Sequence, residues 1–146
     1  MGNVNKKSNT NNINKYYEFG ELLGQGSFGV VNKAVRKKDN LEVAIKTIRK
    51  VDLTPDELVN IEGEVNILRK VKHPNCVNLI EVYESPKNIY IVMDLLTGGE
   101  LFDRIVAKSS FSEEEAAKVI KQIASALMYL HNSGMSHGVC YGIPHR

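Results

Sequence analysis

Gly24-Gln25-Gly26-Ser27-Phe28-Gly29-Val30-Val31 spells G-x-G-x-x-G-x-V, and in it residue type and spacing suit phosphate chemistry. Glycine lets a backbone turn tightly and brings amide groups against phosphate oxygens with no side chain in the way. The same glycines serve dinucleotide-binding folds, in which the loop opens a helix whose N-terminus faces the pyrophosphate. Here the loop runs into Val30-Val31-Asn32-Lys33-Ala34-Val35, a segment of strand character. A hairpin covering a nucleotide is therefore expected, and a dinucleotide turn is not. No Gly-Lys-Ser/Thr follows the glycines, which excludes a Walker loop.

The second chemical group is Lys46, in Val43-Ala44-Ile45-Lys46 on the next strand. Its apolar neighbours set it apart from a solvated surface charge, and its ammonium could reach phosphates held under the glycine loop. A buried lysine stays charged only beside a carboxylate. Glu64, in the helix that follows and beside Ile61, Val65 and Leu68, is the candidate; Glu62 competes from a different helix face.

Positioning these groups requires a specific set of elements. Tyr17 to Leu23 leads into the glycine turn, Gly24 to Gly29; Val30 to Val35 and Leu41 to Ile48 read as strands, with a break at Lys37-Lys38-Asp39-Asn40. With no helix between them, the three should pair as an antiparallel meander. Thr54, Pro55 and Glu57 form a helix start with a capping box, and Leu58, Ile61, Val65, Leu68 and Val71 recur as one apolar stripe. Gly63 weakens that helix by about 1 kcal/mol relative to Ala, and His73-Pro74-Asn75 ends it. Strands are expected at Val77 to Tyr83 and Asn88 to Met93, joined at Ser85-Pro86. A short helix follows, Glu100 to Ala107. A longer one is capped by Ser112 and Glu115, carries Ala116, Val119, Ile120, Ile123, Leu127 and Leu130, and stops at Asn132-Ser133-Gly134.

The composition, 146 residues with 42% hydrophobic and 25% charged, is that of a globular domain with a real core. A formal charge of +2 gives no reason to invoke nucleic acid or a membrane surface. No apolar run has membrane-spanning length and no secretory signal is present. Cys76 and Cys140 show no paired spacing, so free thiols and a cytoplasmic setting are expected. Residues 1–15, rich in Asn and Lys, read as a disordered tail. Gly2 after Met1 is a weak myristoylation signal, because Lys6 stands where Ser or Thr is wanted.

Glycine loop, V-A-I-K lysine, helix glutamate and His73-Pro74-Asn75 turn, in that order, resemble the small lobe of a eukaryotic protein kinase. Asn88 to Ile105, containing Met93-Asp94-Leu95-Leu96-Thr97-Gly98-Gly99-Glu100, resembles the hinge and next helix of calcium- and calmodulin-dependent serine/threonine kinases. The resemblance covers residues 16 to 137. It implies an α+β fold: a five-stranded antiparallel sheet plus one helix, then the first two helices of an incomplete helical large lobe. The corresponding divisions are a tail (1–15), small lobe and hinge (16–97), start of the large lobe (98–137) and a divergent end (138–146). It further implies ATP as cofactor, with Leu23, Val31 and Ala44 sandwiching the adenine, Met93 behind it, and the Asp94 and Leu96 backbone on its edge. Glu100 would face the ribose. Gly24, Gly26, Ser27, Phe28 and Gly29 would cover the phosphates, and Lys46, paired with Glu64, would hold them. Read without the family, Met93 is a core strand residue and Glu100 a helix N-terminal charge.

The pattern breaks after Met135-Ser136-His137. The family continues with Arg-Asp-Leu, whose Asp accepts the substrate hydroxyl proton, and later supplies an Asn and an Asp for magnesium. This chain reads Gly138-Val139-Cys140-Tyr141-Gly142-Ile143-Pro144-His145-Arg146. If His137 is the motif histidine, Val139 replaces the Asp; if His145-Arg146 begins the motif, the residues stop before it. A truncated reading frame is the expected cause. A zinc site at His131, His137, Cys140 and His145 lacks tight paired-ligand spacing. The expectation is thus an ATP-binding part of a serine/threonine kinase without its catalytic Asp or magnesium ligands, Mg2+ belonging to the parent enzyme. The alternative is a nucleotide-binding decoy. Expected partners are ATP, the parent's protein substrates, and an apolar partner for an exposed face of helix 113–130.

Overall fold

The computed structural model describes residues 12–26, 29–99, 101–107 and 112–135. Its elements are β1 (Tyr17–Gly26), β2 (Gly29–Arg36), β3 (Leu41–Arg49), α1 (Pro55–Leu68), β4 (Leu79–Glu84), β5 (Asn88–Asp94), α2 (Leu101–Ala107) and α3 (Glu113–Asn132). Short 3-10 turns occupy Ile13–Lys15 and Lys50–Asp52. The expected architecture is present: an antiparallel sheet in the order β1-β2-β3-β5-β4, with one helix, then two more helices. No helix among the described residues is long and apolar enough to cross a membrane.

The chain divides into two compact units. The first takes the chain through Val65 together with Leu79–Leu95; the second takes Asn66–Asn78 and the chain from Leu96.

In the first unit, side chains alternate across the sheet and both faces are covered. One face carries Ala34, Val43, Ile45, Tyr83 and Val92, packed with Ile13 and Tyr17. The other carries Ile48, Val82, Ile89 and Ile91, packed with Ile61 and Val65 of α1. Val43, Ile45 and Val92, in the central strands β3 and β5, are fully buried.

Described structure precedes Tyr16. Ile13–Lys15 forms a 3-10 turn capped by Asn12, and Ile13 is buried against the sheet. Lys37 ties this turn down through its ammonium to the Asn14 carbonyl at 2.7 Å and its amide to the Tyr16 carbonyl at 2.9 Å. One apolar residue among asparagines was enough, because the sheet face offered it a dry surface.

Helix α1 starts as expected. The Glu57 carboxylate accepts from the Thr54 amide at 2.7 Å, and the Glu57 amide donates back to Thr54 Oγ1 at 3.3 Å. The helix ends at Leu68, so Val71 leaves the expected stripe. It packs instead with Cys76, Ala126 and Leu130 in the second unit. Val77, expected in a strand, lies in the same connector before β4.

In the second unit α3 opens on the expected capping box between Ser112 and Glu115. Ala126 and Leu130 are buried, whereas Ile120 and Met128 remain exposed. Of the stripe expected on α3, Leu130 is buried, Ala116, Val119, Ile123 and Leu127 are half-buried and Ile120 is exposed; Ala126 and Met128 lie outside it.

Candidate functional site

The glycines occupy a paired hairpin. Gly24, Gln25 and Gly26 belong to β1 and pair with Val31, Val30 and Gly29 of β2, with register irregularities on the approach from Phe19 to Gly24. The chain leaves the glycines through a strand, as the residues after Gly29 required. The three glycines differ in environment. A Cβ on Gly29, whose φ is +155°, would lie 2.1 Å from the Thr47 carbonyl oxygen of β3. Glycine is needed there for close strand packing. A Cβ on Gly24 or Gly26 would meet nothing within 4 Å. Packing among the described residues gives no reason for those two, and an accessible backbone is what a phosphate-covering turn requires.

Strand register then assembles the site. Gly24 pairs with Val31, Val31 with Lys46, Lys46 with Ile91, and Ile91 with Val82. One row across all five strands thus carries the first glycine, the expected adenine-facing valine and the lysine. A neighbouring row joins Lys33, Ala44, Met93 and Leu79. Both rows lie on the face that α1 covers, since Ile91, Val82, Met93 and Leu79 pack with the helix residues Ile61 and Val65. Lys46 is half-buried on this face. On α1, Glu64 is half-buried beside Val65, whereas Glu62 is exposed. Leu23 is 45% exposed on β1. Asp94 closes β5 opposite Val43, and Leu96, beyond the strand, is exposed. Ser27, Phe28 and Glu100 fall outside the described residues.

A groove of about 570 Å³ lies at the hairpin's end, and Gly26, Gly29, Val30, Thr47, Arg49 and Leu53 are among the residues lining it. It shares Gly26 and Gly29 with the expected nucleotide site, whereas none of Leu23, Val31, Ala44, Lys46 or Met93 lines it. Nothing in the residue pattern signalled this groove, because it depends on where the turn Lys50–Asp52 settles.

Comparison with known proteins matches this sequence to a family. The protein kinase domain model matches residues 17–138. The chain is 46% identical over 125 residues to myosin light chain kinase A of Dictyostelium discoideum, covering 86% of this chain and 42% of that one. It is 42% identical over 135 residues to calcium/calmodulin-dependent protein kinase type 1 of Caenorhabditis briggsae, covering 92% and 38%. Against the human type 1B enzyme it is 41% identical over 131 residues, covering 90% and 38%. The chain belongs to the eukaryotic protein kinase family, and its relatives include calmodulin-dependent and myosin light chain kinases. It spans less than half the length of these relatives.

Proposed function

We propose that these residues bind ATP as the nucleotide-holding part of a serine/threonine protein kinase of the calcium- and calmodulin-dependent type. The observation that carries this reading is the single cross-strand row Gly24–Val31–Lys46–Ile91. It places an ammonium two strands from an open-faced glycine backbone, which fits the polyphosphate of a nucleotide. ATP supplies the transferable phosphoryl group when bound. Lys46 neutralises phosphate charge, with Glu64 as its carboxylate partner. The amides around Gly24, Gly26 and Gly29, with Ser27 and Phe28 between, approach the phosphate oxygens. Leu23, Val31 and Ala44 offer apolar contact to the adenine. Met93 closes the back of that space, the Asp94 and Leu96 backbone reads the base edge, and Glu100 meets the ribose.

Phosphoryl transfer to protein Ser or Thr belongs, in this reading, to the parent kinase. Val139 stands where the His137 alignment calls for the proton-accepting Asp. A partner-binding module without catalysis is the second reading, supported by the exposed Ile120 and Met128 on α3.

Thermal unfolding with millimolar ATP tests the binding claim. A nucleotide present at about 100 times its Kd stabilises by about 2.7 kcal/mol, so the melting temperature rises by several degrees. Lys46→Met should abolish most of the rise. A folded protein with no shift at saturating ATP would sink the reading. Peptide phosphorylation by the pure chain, lost in Lys46→Met, would instead refute the absence of catalysis.

A further inference from the structure

Charge is segregated in the helical unit. Residues 66–78 and 116–135 contain no Asp or Glu, yet they carry Arg69, Lys70, Lys72, Lys118 and Lys121. Lys118 pairs with Glu114 at 2.6 Å. The described ion pairs include none of the other four. Lys70, Lys72 and Lys121 are exposed, and Arg69 is half-buried.

These cations share one place in the fold. The Tyr129 hydroxyl accepts from the Lys72 amide at 3.0 Å and donates to the Lys70 carbonyl at 3.3 Å. Its ring stacks on His73 with centroids 5.1 Å apart. One turn earlier on α3, Ser125 Oγ meets His73 Nε2 at 3.2 Å, while His73 Nδ1 accepts from the Asn75 amide at 3.1 Å. Lys121 is one turn earlier again, on the same side of the helix. The connector is thus pinned along α3, and Lys121 lies two turns, about 12 Å, from Tyr129 on that side of the helix.

Complementing the helix dipole accounts for the acids in the first turn of α3. It does not account for Lys121 in mid-helix, nor for the cations of the connector. Their mutual repulsion is offset by no carboxylate within residues 66–78 or 116–135.

We propose that this face, Arg69, Lys70, Lys72 and Lys121, docks an acidic peptide segment of a partner protein. The cations are few, irregularly spaced and confined to a connector and one helix turn, which suits a short carboxylate-bearing segment. Arg69 adds a fork that can take a carboxylate bidentately. A nucleic acid would need a broader field than a chain of net charge +2 offers, and the one aromatic here, Tyr129, is already stacked on His73. The surface is independent of nucleotide binding, so it stands or falls separately from the function proposed above.

Fluorescence anisotropy of a labelled Glu-rich dodecapeptide with the full 146-residue chain tests it. At about 25 mM salt, where screening is weak, the peptide should bind, and binding should fall as salt rises. Lys70→Gln/Lys72→Gln/Lys121→Gln should weaken it roughly tenfold or more, about 1.4 kcal/mol or more. Lys15→Gln/Lys38→Gln/Lys87→Gln removes the same charge from exposed positions elsewhere and should leave it intact. The charge-preserving Lys70→Arg/Lys72→Arg/Lys121→Arg should also bind. No binding at low salt, equal losses in the two Gln variants, or loss in the Arg variant would overturn the proposal. Tighter binding of an oligonucleotide or of phosphatidylserine vesicles than of the peptide would overturn its choice of partner.

Discussion

The strand-rich unit and the helical unit bury their apolar residues on different scales. Among the described residues, the first holds clusters of seven and six buried side chains on its two sheet faces. The second holds one of four: Val71, Cys76, Ala126 and Leu130. It leaves Ile105, Val106, Ile120 and Met128 exposed, and Tyr129, Ser125 and His73 add polar contacts to it. Hydrophobic burial scales with area removed from water, so stability should concentrate in the sheet. The expected nucleotide-binding row therefore rests on the firmer of the two units.

Core truncation should break this comparison most visibly. Ile45 is fully buried between β2 and β5, and Ile45→Ala should cost about 2–5 kcal/mol, seen as a large drop in the denaturant midpoint. Leu130→Ala should instead lower hydrogen-exchange protection in α3 while β3 and β5 keep theirs. Parallel loss of protection in both units would show that they unfold as one.

A smaller effect is expected at the strap across the sheet. The Tyr17 hydroxyl donates to the Glu81 carboxylate, and the Tyr17 ring meets Tyr83 edge-on. Hydrogen bonds to charged groups contribute about 1.5–3 kcal/mol, the loss expected for Tyr17→Phe. Burial, and then the bond to Glu81, push the Tyr17 phenol well above its ordinary range. The folded state thus favours the neutral phenol. That contribution is complete below the unfolded value, about pH 10, and is lost as pH rises toward the folded one. Tyr17→Phe should flatten the alkaline limb of the stability profile. An unchanged limb would mean that another group governs it.

Tyr129→Phe should cost less, about 1–2 kcal/mol for two neutral hydrogen bonds, with increased exchange confined to the connector and α3. Smallest is the cap of α1. The Thr54 amide and then its hydroxyl hold the Glu57 carboxylate below its usual value. This contribution is present above the unfolded carboxylate value, about pH 4.3, and is lost as pH falls through the folded one. Glu57→Gln should remove that acid dependence, read in the melting temperature between neutral and acid pH.

Much of the local structure was legible in the residues. Strand content, the capping boxes at Thr54 and Ser112, and the continuation from glycine loop to strand rest on neighbours a few positions apart, and all are present. For the site, the order of glycines, lysine and glutamate was readable, whereas the row joining Gly24 to Lys46 needed strand register. Val71 shows why the remainder was not legible. Its spacing continues the stripe of α1, but the helix stops at Leu68, and a turn directs it to the other core.

The sequence by itself determined element types, helix starts, the glycine hairpin and family membership, because short-range backbone preferences and motif order decide them. Tertiary structure decided that Ile13 is buried, that Tyr17 reaches Glu81 across 64 positions and that Tyr129 pins Lys70 and Lys72 across 57 and more. Those pairings depend on strand register and helix placement, which bring distant residues together only after both faces of the sheet and the inner side of α3 have found their partners.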